Sequence, residues 1–238
     1  MSQEHIAAVF DRDLERIQAL VMKMGGLAEA ALNDAATALE ARDGELAEAV
    51  RAGDAALDAL EEEINAECVR LIALRSPTAG DLRIILTVMK IAAALERCGD
   101  YAKNLAKRSL VLADMPRVDG AAGSIRRMAR QVGLLLRDAL DAFARRDAVL
   151  AREVRARDEE VDQMYGALFR EFVTHMMEDA RLISPCLHLH FIAKNIERVG
   201  DHATGIAEQV IYLVSGVMPD DERPKDEHAT LGQPGGSL

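Results

Sequence analysis

The stretch Ile91-Ala92-Ala93-Ala94-Leu95-Glu96-Arg97-Cys98-Gly99-Asp100-Tyr101-Ala102-Lys103-Asn104-Leu105-Ala106 is written a second time, as Ile192-Ala193-Lys194-Asn195-Ile196-Glu197-Arg198-Val199-Gly200-Asp201-His202-Ala203-Thr204-Gly205-Ile206-Ala207. Eight of the 16 positions are identical, and the apolar ones keep a helical spacing. Each copy carries a Glu and an Asp four residues apart, Glu96/Asp100 and Glu197/Asp201. Two carboxylates on one helix face repel unless a positive group lies between them. The duplication therefore poses a fold question and a charge question together.

Composition narrows the class. Half of the 238 residues are apolar, yet only 3% are aromatic and none is Trp. Ala, Leu, Glu and Arg are strong helix formers, so the chain reads as all-α. A formal net charge of −11 and the scarcity of Tyr and Phe argue against nucleic-acid binding. The longest strongly apolar stretch, Ile84 to Leu95, is interrupted by Lys90 and is too short to span a bilayer. Met1-Ser2-Gln3-Glu4 carries an acid where a secretory signal needs a basic start. Cys68, Cys98 and Cys186 lack CxxC spacing and read as reduced thiols of a cytoplasmic protein.

The periodicity predicts six helices at about 4–42, 44–74, 77–113, 122–146, 148–181 and 185–215. The longer ones are rods of about 45–55 Å at 1.5 Å per residue, joined by short connections that favour antiparallel bundles. Asp43 and Asp147 suit N-caps, and Ser76-Pro77 and Ser184-Pro185 read as helix starts with Pro in the first turn. Pro116 to Gly123 separates the halves. The expected architecture is two pseudo-symmetric three-helix bundles of long antiparallel helices, at 1–115 and 120–216. A Pro-, Gly- and charge-rich tail at 217–238 is expected to be disordered.

The repeat extends into the second helix of each half, where Asp54/Asp58 corresponds to Asp158/Asp162 at an offset of 104. The Glu96 and Glu197 copies are offset by 101, and the difference falls in a connection, where length changes are tolerated. If the second and third helices face each other, Asp54, Asp58, Glu96 and Asp100 form one cluster and Asp158, Asp162, Glu197 and Asp201 another. Four carboxylates without imidazole or thiolate suit Mg²⁺, Mn²⁺, Ca²⁺ or iron better than Zn²⁺. Ordinary solvated helix surface is the other reading, because a chain with 40 acidic residues forms such pairs by chance.

Gly99 and Gly200 interrupt helical pattern at about 1 kcal/mol each relative to Ala, which suits close approach of another backbone or of a ligand. Arg97 and Arg198 either neutralise the clusters or are solvated. Met24-Gly25-Gly26-Leu27 reads as a close helix contact, since it lacks the ending of a phosphate loop. His188, His190 and His202 show no metal-binding i,i+4 pair, and Cys98 reads as a small core residue. Nine Arg against four acids between Arg126 and Arg157 make a basic stripe, either a docking face or a solvated one. No G-x-S-x-G, Walker A or dinucleotide-binding glycine pattern occurs, nor the Glu-x-x-His of di-iron bundles.

Leu95-Glu96-Arg97-Cys98-Gly99-Asp100-Tyr101-Ala102 and Ile196-Glu197-Arg198-Val199-Gly200-Asp201-His202-Ala203 resemble the paired signatures of the PhoU family of phosphate-uptake regulators. So do Met24-Gly25-Gly26-Leu27-Ala28-Glu29 and Arg75-Ser76-Pro77-Thr78-Ala79-Gly80-Asp81-Leu82-Arg83. The similarity covers about residues 4 to 215. Four motifs in order on a duplicated three-helix frame are a specific signal, although Cys98 stands where the family often has an aliphatic residue.

The resemblance implies a cytoplasmic, often homodimeric protein that negatively regulates phosphate uptake and the phosphate-starvation response. It implies two partners, the ATPase subunit of a phosphate ABC transporter and a sensor histidine kinase. Contact with the membrane would come only through those partners. It also implies divalent or trivalent metal ions, iron, manganese or magnesium rather than zinc, on Asp54, Asp58, Glu96, Asp100, Asp158, Asp162, Glu197 and Asp201. The expectation is a non-enzymatic adapter. A carboxylate-bridged metalloenzyme and a metal-free helical scaffold are the alternatives.

Overall fold

The computed structural model describes residues 2–75 and 77–220. Six long helices, α1 (Ser2–Ala41), α2 (Gly44–Arg75), α3 (Ala79–Leu112), α4 (Ala121–Arg145), α5 (Ala148–Glu178) and α6 (Ile183–Ser215), make an all-α chain with no strand among the described residues. The expected disordered tail lies outside the described residues from position 221 onward, as does Ser76.

Two expected helix starts shift. Thr78 rather than Ser76 precedes α3, where Asp81 Oδ2 accepts from the Thr78 backbone N–H at 3.3 Å and from its hydroxyl at 2.7 Å. This is a capping box built with Asp. Before α6, Asp179 accepts from the Arg181 backbone N–H at 2.9 Å and starts a short 3₁₀ turn, Ala180–Leu182. The helix follows directly at Ile183, so Pro185 falls third, still within the turn whose N–H groups have no helical acceptor. Asp147 does cap α5, accepting from Val149 N at 2.9 Å and Leu150 N at 3.1 Å.

Within each half the three helices pack on one another, and α1 also packs on α4 and α3 on α6. One continuous core results, with Met24, Ile64, Leu95, Ile125, Met128 and Phe172 fully buried. Each such side chain contributes about 1.5–3 kcal/mol by leaving water. The α3–α6 contact is antiparallel: Arg108 meets His188, Tyr101 meets His202, and Arg83 lies over the ring of Tyr212. Tyr101 and His202 are equivalent positions of the repeat, with ring centroids 5.7 Å apart, so the pseudo-two-fold axis passes between them.

Four arginines of the basic stripe pair with the chain's own acids. Arg126 and Arg137 pair with Glu40 and Glu29 and tie α4 to α1, Arg157 pairs with Asp138, and Arg155 lies 3.3 Å from Glu208. Solvent-exposed pairs contribute about 0–1 kcal/mol each, so they set register more than stability.

On α6, His190 packs against Tyr165, Phe169 and Phe191 at centroid distances of 5.8, 5.3 and 5.9 Å. Its Nδ1 is buried without a hydrogen-bond partner among the described residues. Burial first, and Lys194 second, hold this imidazole below its ordinary value of 6.5. The unfolded chain therefore takes up the proton more readily, and stability present above that value is lost as pH falls through and below it. His202 contributes in the same sense, through burial first. His190→Phe is expected to flatten part of the fall in urea midpoint between about pH 7 and about pH 5; an unchanged slope would remove His190 as its source.

Candidate functional site: two acidic helix seams

Close approach of α2 to α3, and of α5 to α6, sets the geometry. A Cβ built on Gly99 would stand 2.3 Å from Leu57 Cδ1 and 3.4 Å from Asp54 Oδ1. A Cβ on Gly200 would stand 3.4 Å from Val161 Cγ1 and 3.6 Å from Asp158 Oδ1. In both halves, then, an aspartate of the second helix lies over a glycine of the third. Asp54 is only 6% exposed as a result.

The remaining carboxylates gather along the same seams. Glu96 is pushed above the ordinary carboxylate range by burial first, then by the charge of Asp100, with Glu61 and Asp58 adding and Arg97 opposing. Glu197 is pushed up by burial first; the Lys194 hydrogen bond opposes this, while Asp201 and Asp162 add to it. Asp54, Asp58, Glu96 and Asp100 thus line the α2–α3 seam, and Asp158, Asp162, Glu197 and Asp201 line the α5–α6 seam. Among the described residues, no three His, Cys, Asp or Glu side chains converge closely enough to hold a metal ion.

Lysines and an arginine on the third helix of each half meet some of these charges. In the first, Lys103 Nζ donates to Asp54 Oδ2 and lies 3.6 Å from Asp100 Oδ1. Arg97 reaches Asp100 Oδ2 at 3.2 Å and lies 3.4 Å from Glu96 Oε2. In the second, Lys194 Nζ donates to Glu197 Oε1 at 2.6 Å. Glu197 Oε2 and the hydroxyl of Thr204 are buried with no hydrogen-bond partner among the described residues. Thr204 is the repeat counterpart of Lys103, and Ala93 that of Lys194.

Lys103, Lys194 and Thr204 are the residues that sequence reasoning missed. Their signal lay in the positions where the two copies disagree. Other candidates fall away from the seams. Cys98 is buried in the core, and desolvation pushes its thiol up to about 12. His188 faces Arg108 at 3.4 Å. Gly25 touches Leu140 of α4, in keeping with a close helix contact. A cleft of about 360 Å³ near the α3–α4 connection is lined by Glu40, Asp119, Arg117 and Arg127. Arg42, also at its wall, is committed to the Ala113 and Met115 carbonyls at 2.7 and 2.8 Å.

The PhoU domain family matches residues 21–109 and 125–210. A phosphate-specific transport system accessory protein PhoU homolog of Caulobacter vibrioides is 47% identical over 222 residues, covering 93% of this chain and 96% of that protein. The homolog of Rhizobium meliloti is 45% identical, covering 98% of each. Among solved structures, the crystal structure of PhoU from Pseudomonas aeruginosa superposes with a TM-score of 0.84 at 43% identity, over 87% of this chain and 100% of that one. The phosphate transport system regulatory protein PhoU from Streptococcus pneumoniae gives 0.82 at 30% identity, over 89% and 99%.

The two seams differ in tightness, which yields a paired test. Gly200→Ala meets only ordinary van der Waals contacts and gains helix propensity, so stability should hold or rise by up to ~1 kcal/mol. Gly99→Ala must displace the buried Leu57 and is expected to lose ~1–3 kcal/mol. Urea unfolding of both variants checks this; equal effects would mean that the seams are not packed as described.

Proposed function

The chain belongs to the PhoU domain family of phosphate-transport accessory proteins, and from that premise we propose that it is a phosphate-responsive regulatory adapter. It links the cytoplasmic ATPase subunit of a phosphate ABC transporter to a sensor histidine kinase, and holds the phosphate-starvation response off while phosphate is plentiful. The single observation carrying this reading is the extent of the match: all six helices fall within the similarity to the accessory proteins. The protein works in the cytoplasm, as a homodimer, and meets the membrane through its partners. No helix among the described residues is long and apolar enough to cross a bilayer itself.

The seams offer binding and charge rather than turnover, so the role is that of an adapter and not an enzyme. Oxygen-only donors suit iron, manganese or magnesium over zinc. Asp158, Asp162, Glu197 and Asp201 would hold such an ion in the second half by drawing together from the separated arrangement described above, and Asp54, Asp58, Glu96 and Asp100 are the corresponding set in the first. Supporting the second set is the orphaned Glu197 Oε2, a buried acceptor with no donor among the described residues. A bound ion would supply positive charge to these carboxylates.

Deleting the gene in its host and assaying alkaline phosphatase at high phosphate tests the regulatory role. Constitutive expression is expected, reversed by the wild-type gene; intact repression in the deletion strain would refute the proposal. Glu197→Gln with Asp201→Asn should weaken Mn²⁺ binding by at least ~10-fold and impair repression. Normal repression alongside lost metal would confine the ion to a structural role.

A further inference from the structure

Ile183, Leu187 and Phe191 follow one another at four-residue spacing on α6, so their side chains stand in a row on one face. Val111 of α3 lies beside that row. Arg108 meets His188 and Phe191, and Ser184 Oγ lies 4.0 Å from Met115 Sδ, which puts the α3 residue between Arg108 and Met115 opposite Leu187. All four apolar side chains are 43–49% exposed. Large apolar residues scattered singly over a surface are ordinary; four together on two adjacent helices mark a contact face.

We propose that this face docks an acidic amphipathic helix of a partner protein, laid along the groove between the C-terminal half of α3 and the N-terminal half of α6. The proposal deepens the adapter reading above, on which the existence of a protein partner rests.

Charge selects the occupant. No Asp or Glu occurs from 101 to 113 on α3, or from 180 to 196 across the start of α6, in a chain of net charge −11. Of the cations in these segments, Lys103, Arg181 and Lys194 are committed to Asp54, Asp179 and Glu197. Lys107 and Arg108 have no carboxylate partner among the described residues. Lys107 is exposed, and the Arg108 guanidinium lies 4.4 Å over the ring of Phe191 and 3.4 Å from His188 Nδ1. Two unmatched cations beside an apolar row at i, i+4 and i+8 complement a helix with apolar anchors at that spacing and carboxylates along its flank. An anionic bilayer would need these side chains to sink about 5–10 Å past the headgroups, whereas each is more than half covered by its own helix pair.

The repeat supplies a comparison at the opposite end of the α3–α6 pair. At an offset of 101, Ile183, Leu187 and Phe191 correspond to Leu82, Leu86 and Lys90, while Lys107 and Arg108 correspond to Glu208 and Gln209. Leu82 and Leu86 are exposed too, at 37% and 47%. Both ends thus keep an apolar pair, but the aromatic third member and the adjacent cations Lys107 and Arg108 stand at one end alone. An acidic helix should therefore prefer that end.

The test uses the full chain and two labelled helical peptides of about 20 residues. Both carry Leu or Phe at i, i+4 and i+8; one has Glu at the flanking positions and its twin has Lys. Fluorescence anisotropy at low salt should show binding of the Glu peptide and none of the Lys peptide. Leu187→Glu removes apolar area and adds a like charge, and should weaken binding by at least ~10-fold. Lys107→Glu, at an exposed position without a carboxylate partner, should weaken it in the same sense and keeps the proposal falsifiable if Leu187→Glu does not fold. Leu86→Glu, the counterpart at the other end, should leave affinity within about twofold, since distant sites act independently. Failure of the Glu peptide to bind, equal binding of the two peptides, or equal loss in Leu187→Glu and Leu86→Glu overturns the docking face. So does a wild-type dimer that Leu187→Glu splits, which would make the face an interface between copies. Sedimentation with phosphatidylglycerol vesicles that Leu187→Glu abolishes would likewise replace the helix with a lipid surface. Repression left intact by deleting the gene would end the adapter reading while the peptide result stands. Constitutive expression in the deletion strain with no peptide binding would remove the docking face alone.

Discussion

A carboxylate pressed against the backbone of a neighbouring helix is the constraint around which this molecule is arranged. Asp54 lies over Gly99 and Asp158 over Gly200; a Cβ at Gly99 would collide with Leu57, whereas one at Gly200 would meet only ordinary contacts. The approach that buries the acid also removes the water that would stabilise its charge, so each seam must supply a positive partner.

Lysines serve both seams from different positions of the repeat. The first seam is balanced by Lys103 and Arg97 from α3 itself. The second draws Lys194 from one turn earlier on α6 and leaves two buried oxygens, one on Glu197 and one on Thr204, without hydrogen-bond partners among the described residues. Arg126 and Arg137 of α4 pair meanwhile with Glu40 and Glu29 of α1, which fastens the halves to one another, while Arg157 and Arg155 of α5 pair with Asp138 and Glu208 inside the second half.

Most of the architecture was legible because helical period and internal repetition are properties of spacing, which a sequence displays directly. Asp43 and Asp147 announced helix starts through a short acidic side chain after a basic helix end, and both accept from the following backbone. Ser76-Pro77 and Ser184-Pro185 misled because Thr78 with Asp81, and Asp179 with its 3₁₀ turn, compete for the same backbone donors nearby. The acidic residues were legible by recurrence. Their partners were not: Lys103 reaches across to a different helix, and no periodicity on α3 says which neighbour its ammonium will meet. Nor could the arginine stripe be read, since Glu29 and Glu40 lie about a hundred residues away along the chain.

The ring pair on the pseudo-axis has a further consequence. In a true two-fold assembly of identical subunits, whatever residue sits on the axis must face a copy of itself. Joining both halves in a single polypeptide lifts that restriction, and here Tyr101 faces His202 instead of another tyrosine. Covalent fusion therefore permits a mixed phenol–imidazole junction at the centre of the molecule, and with it the freedom for each side to specialise without disturbing the other.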